Sequence, residues 1–96
     1  MTPRFSVHTT PHFERLARKL LKGHAELREV LREVRAVLEA DPYNASRKHP
    51  IKKLVAVDPG EGQWRLRAGR FRFRYDVSGQ EVWLLYCGLR SERTYR

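Results

Sequence analysis

Apolar side chains along this chain fall into two regular spacings. Residues 4–8 (Arg4, Phe5, Ser6, Val7, His8) alternate polar and apolar, the period of a strand with one buried face. Thr9, Thr10 and Pro11 follow, a helix-start signal with a capping hydroxyl and proline at the first helical position. Phe13, Leu16, Ala17, Leu20 and Leu21 then recur at helical spacing, and Gly23 ends that stripe. A second stripe of Leu27, Val30, Leu31, Val34 and Leu38 predicts a helix over residues 25–38, stopped by Asp41 and Pro42. On its polar face Glu29 and Arg32 stand three apart and can pair. The short link at Gly23 implies an αα-hairpin.

Residues 42–63 are irregular, with Pro42, Asn44, Pro50, Pro59, Gly60 and Gly62, and hold one candidate strand at 51–57. Period two returns at residues 64–67 and 70–77. A two-residue turn at Ala68 and Gly69 pairs Arg67 with Arg70, Leu66 with Phe71, Arg65 with Arg72, and Trp64 with Phe73. A slip of one residue would mismatch every pair. A turn at Ser78 and Gly79 then sets Tyr75 opposite Val82 and Phe73 opposite Leu84. The expectation is an α+β fold in a single domain spanning residues 1–96: a strand, an αα-hairpin, then a three-stranded antiparallel meander. Trp64, Leu66, Phe71, Phe73, Tyr75, Val82, Leu84 and Tyr86 form the face that the helices cover, and Phe13, Leu16, Leu31, Phe71, Phe73 and Leu84 share one core.

The chain has 96 residues, with 20 Lys and Arg against 11 Asp and Glu, a net charge of +9. That is one domain with a small core, and the charge calls for an anionic partner or a solvated surface. No apolar run approaches the roughly 20 residues of a membrane span, and the opening residues contain no apolar signal core. A cytoplasmic protein without a membrane partner is expected. The lone cysteine, Cys87, lies in an apolar run and reads as a buried structural thiol. His8, His12, His24 and His49 match no metal-site spacing and read as surface or capping residues. His49 alone could reach a site on the sheet from its loop and act as a base.

The charge is concentrated on one sheet face. Arg65, Arg67, Arg70, Arg72 and Arg74 share it, and no acid lies between residues 64 and 75. Like charges opposed across strands are destabilising. Either Glu61, Asp76, Glu81 and Glu92 neutralise the patch from its rim, or the guanidinium groups form an anion site able to clamp a phosphodiester. A few rim acids serve five arginines poorly, which favours the anion site. Trp83 and Leu85 point to the same side. Trp83, opposite Arg74, stacks on it, stacks on a base, or lies under the 42–63 loop. Beyond the third strand Arg90, Arg93 and Tyr95 bring cations and a phenol to the edge of this face, or form a frayed basic tail.

These pieces, in this order, resemble the RelE/ParE toxins of bacterial and archaeal toxin–antitoxin systems. Trp64-Arg65-Leu66-Arg67 with Ala68-Gly69 and Tyr75 resembles the family's aromatic–basic–aliphatic–basic strand and glycine turn. Ile51-Lys52-Lys53-Leu54 resembles its Lys-Leu segment, and Cys87-Gly88-Leu89-Arg90 through Tyr95 its Gly-x-Arg…Tyr ending. The resemblance implies, for the RelE branch, an mRNA interferase: a ribosome-dependent endoribonuclease that works without metal or cofactor, by attack of a ribose 2′-hydroxyl on the adjacent phosphate. Arg65, Arg67, Arg72, Arg90 and Tyr95 match its catalytic positions, with arginine at 65 and 67 where the family often has lysine. Lys52, Lys53, Arg70, Arg74 and Arg93 are the candidate nucleic-acid-binding residues. The implied partners are an acidic cognate antitoxin, mRNA and the ribosome. The alternatives are a ParE-like inhibitor of DNA gyrase, or an inactive relative that only binds an acidic antitoxin. Arginine effectively never deprotonates, so Tyr95 is the candidate for proton transfer, or for stacking on a base. Arg90 supports the leaving-group side.

Overall fold

The computed structural model describes residues 4–91. Among them β1 (Ser6–Thr9) leads into α1 (Pro11–Leu21) and α2 (Leu27–Ala40), followed by β2 (Ile51–Lys53), β3 (Trp64–Ala68), β4 (Phe71–Ser78) and β5 (Glu81–Leu89). The strands form one five-stranded sheet in the order β1-β5-β4-β3-β2. β1 runs parallel to β5, and the other neighbours are antiparallel. The α+β class and the element order expected from the pattern hold, with the meander as the middle of a wider sheet.

Thr10 caps α1, its Oγ1 accepting from the Phe13 amide at 3.1 Å. Glu14 in the first turn and Arg18 and Lys19 in the last complement the helix dipole. α2 begins and ends about two residues later than the stripe suggested, because residues 23–26 are spent on the link. There the amides of Gly23 and His24 both donate to the Leu20 carbonyl. The Glu29–Arg32 pair forms at 2.9 Å.

The helices cover one sheet face. Leu27, Val34, Leu38, Phe71, Phe73, Tyr75 and Val82 are fully buried there, and Leu16 and Leu31 pack half-buried at the rim. The Tyr75 hydroxyl donates to the Pro42 carbonyl at 2.7 Å, tying the chain after α2 to the core. Burial, reinforced by the charge of Asp41, pushes that phenol well above its ordinary range.

Strand registers differ from expectation by two residues. Ala68 pairs with Phe71, Arg67 with Arg72, Leu66 with Phe73, Arg65 with Arg74 and Trp64 with Tyr75. The turn residues are therefore Gly69 and Arg70. A slide of two keeps every polarity match, so alternation could not choose between the two pairings. The turn chose: Gly69 takes φ +59 at the first central position, where a II′ hairpin needs glycine. Gly79, at φ +60, does the same in the next hairpin and pairs Ser78 with Glu81. Tyr75 consequently meets Leu84, not Val82.

Between Arg74 and Tyr75 the β4–β5 register shifts: Tyr75 pairs with Leu84 but Arg74 with Tyr86, leaving Leu85 as an extra residue on β5. Such a bulge inverts the faces beyond it. Phe73 therefore pairs with Cys87, not Leu84. Cys87 enters the core, and Tyr86 moves from the expected apolar face to the arginine face. Trp83 falls opposite Asp76, not Arg74, and stacks on His8 of β1, with ring centroids 4.5 Å apart. The 51–57 strand shrinks to β2, because Ala56 sits at φ +60, outside strand geometry. No described helix is long and apolar enough to cross a membrane.

Candidate active site

On the face away from the helices the registers set side chains in rows. Lys52, Arg65, Arg74 and Tyr86 make one row across β2, β3, β4 and β5. Arg67, Arg72 and Gly88 make the next, nearer the β3–β4 turn. Asp76, Trp83 and His8 lie on the far side of the first row. Gly88 has a specific purpose: a Cβ there would run into the Tyr86 hydroxyl, so the phenol lies over Gly88, beside the Arg72 position.

At the turn end of the sheet Arg67, Arg70, Arg72 and Arg90 line a cleft of about 590 Å³ together with His24 of the α1–α2 link. Leu89 and Ser91 complete its described wall. The hydrogen bonds show how it is built. Arg72 Nη2 donates to the Arg90 carbonyl at 2.7 Å, the Arg90 amide to the Arg70 carbonyl at 2.8 Å, and Arg90 Nη1 to the Gly69 carbonyl at 3.1 Å. The segment after β5 is thus held against the β3–β4 turn. Arg70 Nε lies 3.3 Å from Glu26, which joins that turn to the start of α2. Arg67 Nε is buried with no hydrogen-bond partner among the described residues.

Two of the expected rim acids are occupied elsewhere. The Asp76 carboxylate accepts from the amides of Gly60 and Gln63 at 2.6 and 2.7 Å, holding the β2–β3 loop. Glu81 lies 3.2 Å from His8 Nε2. Among the described residues no three His, Cys, Asp or Glu side chains gather as a metal-binding group.

No protein-family model matches the chain, and no curated protein matches it by sequence. Solved structures do. A chain of the archaeal RelE-RelB complex from Pyrococcus horikoshii OT3 is 24% identical, with a TM-score of 0.67, over 97% of this chain and 100% of that one. A chain of the toxin-antitoxin complex RelBE2 from Mycobacterium tuberculosis is 22% identical, with a TM-score of 0.70, over 96% of this chain and 97% of that one. The fold is RelE-like.

On this RelE-like frame the sequence-derived site residues separate into groups. Arg67, Arg72 and Arg90 come together in the cleft, with Arg70 from the turn. Arg65 lies one row back, two residues or about 7 Å along β3 from Arg67. Arg74 is fixed outside the cleft, its Nε and Nη2 donating to the Gly62 carbonyl at 3.1 and 2.9 Å. Lys52 shares the arginine face, but Lys53 does not. Strand alternation pairs it with Trp64 on the helix side, its Nζ 5.6 Å from that ring. Arg93 and Tyr95 lie outside the described residues. His49, read as a surface or capping residue that could reach the sheet, has its Nε2 3.8 Å from Asp41 within its own loop. Cys87 is buried as expected, and burial pushes its thiol up to about 12.

Two residues escaped sequence reasoning. His24 reads locally as a helix-end residue, and only the packing of the α1–α2 link against the β3–β4 turn brings it to the cleft. Tyr86 reads as a core residue until the bulge inverts its face, and no local signal marks Leu85 as the extra residue.

Proposed function

We propose that this protein is the toxin of a toxin–antitoxin pair and an endoribonuclease that cleaves mRNA on the ribosome without a metal ion. The observation that carries this reading is the gathering of Arg67, Arg72 and Arg90 in one cleft, on a fold shared with chains of two RelE-containing complexes. Attack of a 2′-hydroxyl on the neighbouring phosphate builds negative charge on the non-bridging oxygens. Guanidinium groups, permanently charged and forked, bind such oxygens two at a time. Arg72 and Arg67 serve that role, and Arg90 supports the departing 5′-oxygen. The Lys52–Arg65–Arg74 row continues the positive surface along a bound strand. Tyr95 keeps its assignment to proton transfer or base stacking. The same basic face suits an acidic antitoxin segment, and the likeness to chains from two complexes supports such a partner.

The test is primer extension on translated messages after induction. Wild-type protein is expected to produce new 5′ ends inside coding sequence. Arg72→Ala removes a charge clamp and is expected to slow cleavage by roughly 10²–10³-fold, the scale for loss of one donor to a developing oxyanion. Intact messages accompanied by lost DNA supercoiling would transfer the reading to a gyrase inhibitor.

A further inference from the structure

We propose that His24 is the proton acceptor of this cleft, taking the proton of the attacking ribose 2′-hydroxyl; the assignment rests on the ribonuclease reading above. The cleft's arginines hold charge but cannot accept a proton. Imidazole is the side chain that takes up and releases one near neutral pH, and His24 is the imidazole of this cleft.

Its ring is held in place. The His24 amide donates to the Leu20 carbonyl at 2.9 Å, and its own carbonyl accepts from the Leu27 amide at 3.0 Å. Ring Nδ1 lies 3.2 Å from the same Leu20 carbonyl oxygen. The ring meets Phe71 edge-on, with centroids 5.8 Å apart. A carbonyl oxygen only accepts, so Nδ1 carries the hydrogen in this contact. Nε2 is then left with its lone pair, the arrangement a base requires. Among the described residues, the charged groups lining the cleft with it are Arg67 from β3, Arg72 from β4, Arg70 from the turn with its partner Glu26, and Arg90 after β5.

The step balances as follows. Nε2 takes the 2′-hydroxyl proton, and the 2′-oxygen forms a bond to phosphorus. The bond from phosphorus to the 5′-oxygen breaks, its electron pair leaving with that oxygen, which takes a proton from water. A 2′,3′-cyclic phosphate and a 5′-hydroxyl result, and the imidazolium returns its proton to solvent. Arg67 and Arg72 hold the non-bridging oxygens throughout.

The experiment measures single-turnover cleavage of ribosome-bound message as a function of pH, between about pH 5 and 9. Wild type, His24→Ala, His24→Gln and Arg72→Ala are compared, each checked by thermal melting. Wild-type rates are expected to fall on the acid side as the base protonates. Both His24 variants are expected to lose roughly 10²–10⁴-fold in rate and to lose that acid limb, and added imidazole to restore part of the His24→Ala rate. A folded His24 variant that keeps the wild-type rate and acid limb overturns the assignment and leaves the ribonuclease reading standing, with Arg72→Ala still impaired. A wild-type profile without an acid limb also overturns it. A wild-type protein that cleaves nothing overturns the reading and the assignment together.

Discussion

Cys87 shows how little of a side chain's chemistry is set by its type alone. Its neighbours in sequence mark it as apolar, but the bulge at Leu85 decides that it points into the core against Phe73. There it is 1% exposed, and removal from water disfavours the thiolate enough to push the thiol up to about 12. The native protein is therefore expected to react with a disulfide reagent at about pH 8 only as fast as it opens, since the thiolate is the reactive form. In concentrated guanidinium chloride the reaction should be complete within the mixing and reagent time. A thiol counted within seconds in native buffer would contradict its placement. One residue earlier, Tyr86 takes the opposite face by the same bulge, and its phenol is accommodated only because Gly88 lacks a Cβ.

At the scale of elements, the connections carry as much information as the strands. The segment after α2 is organised around one carboxylate. Asp41 Oδ1 accepts from the Ala45 amide at 2.7 Å, and Oδ2 from the Ser46 amide and hydroxyl at 3.2 and 2.6 Å, with His49 at 3.8 Å. Desolvation alone would raise this carboxyl. The Ser46 hydroxyl, the two amides and His49 outweigh it and hold the group below its ordinary 3.8. A folded-state value below the unfolded one means that the unfolded chain binds the proton more readily. The stabilisation is complete above 3.8 and is lost as pH falls through the lower folded value. Wild type is therefore expected to lose melting temperature on acidification below about pH 4, and Asp41→Asn to show a flatter dependence in that window. Equal slopes in thermal melts across that range would remove Asp41 from the account. Gly69 and Gly79 set the two hairpin registers in the same spirit, through backbone geometry that side-chain alternation leaves open.

The whole molecule has a radius of gyration of 12.6 Å, against about 12.5 Å for a compact chain of this length. Both helices and the sheet therefore enclose one core. Phe73 lies at its middle, fully buried and 6.4 Å from Phe13 of α1. Phe73→Ala is expected to cost about 3–5 kcal/mol through the cavity it leaves. That approaches the lower end of the roughly 5–15 kcal/mol total stability of a domain. A urea melt with an unchanged midpoint would contradict this core. At the same scale the cleft exists only because three connections meet: the α1–α2 link, the β3–β4 turn and the segment after β5. Arg70, Arg72, Arg90, Gly69 and Glu26 bind them together.

What the chain's pattern alone determined is therefore the class and order of elements, the helix cap at Thr10, the apolar face of the meander and the arginine face opposite it. These follow from periods of two and 3.6, which bear directly on which side chains face water. Only the tertiary structure decided the pairings, because a slide of two residues leaves polarity unchanged and glycine dihedrals must break the tie. It also decided which cations share the cleft. Arg67, Arg72 and Arg90 gather, Arg74 turns to Gly62, and Lys53 falls on the helix side. His24 reaches the cleft from 43 positions before Arg67 in the chain, a proximity that no local spacing encodes and that packing of one turn against another creates.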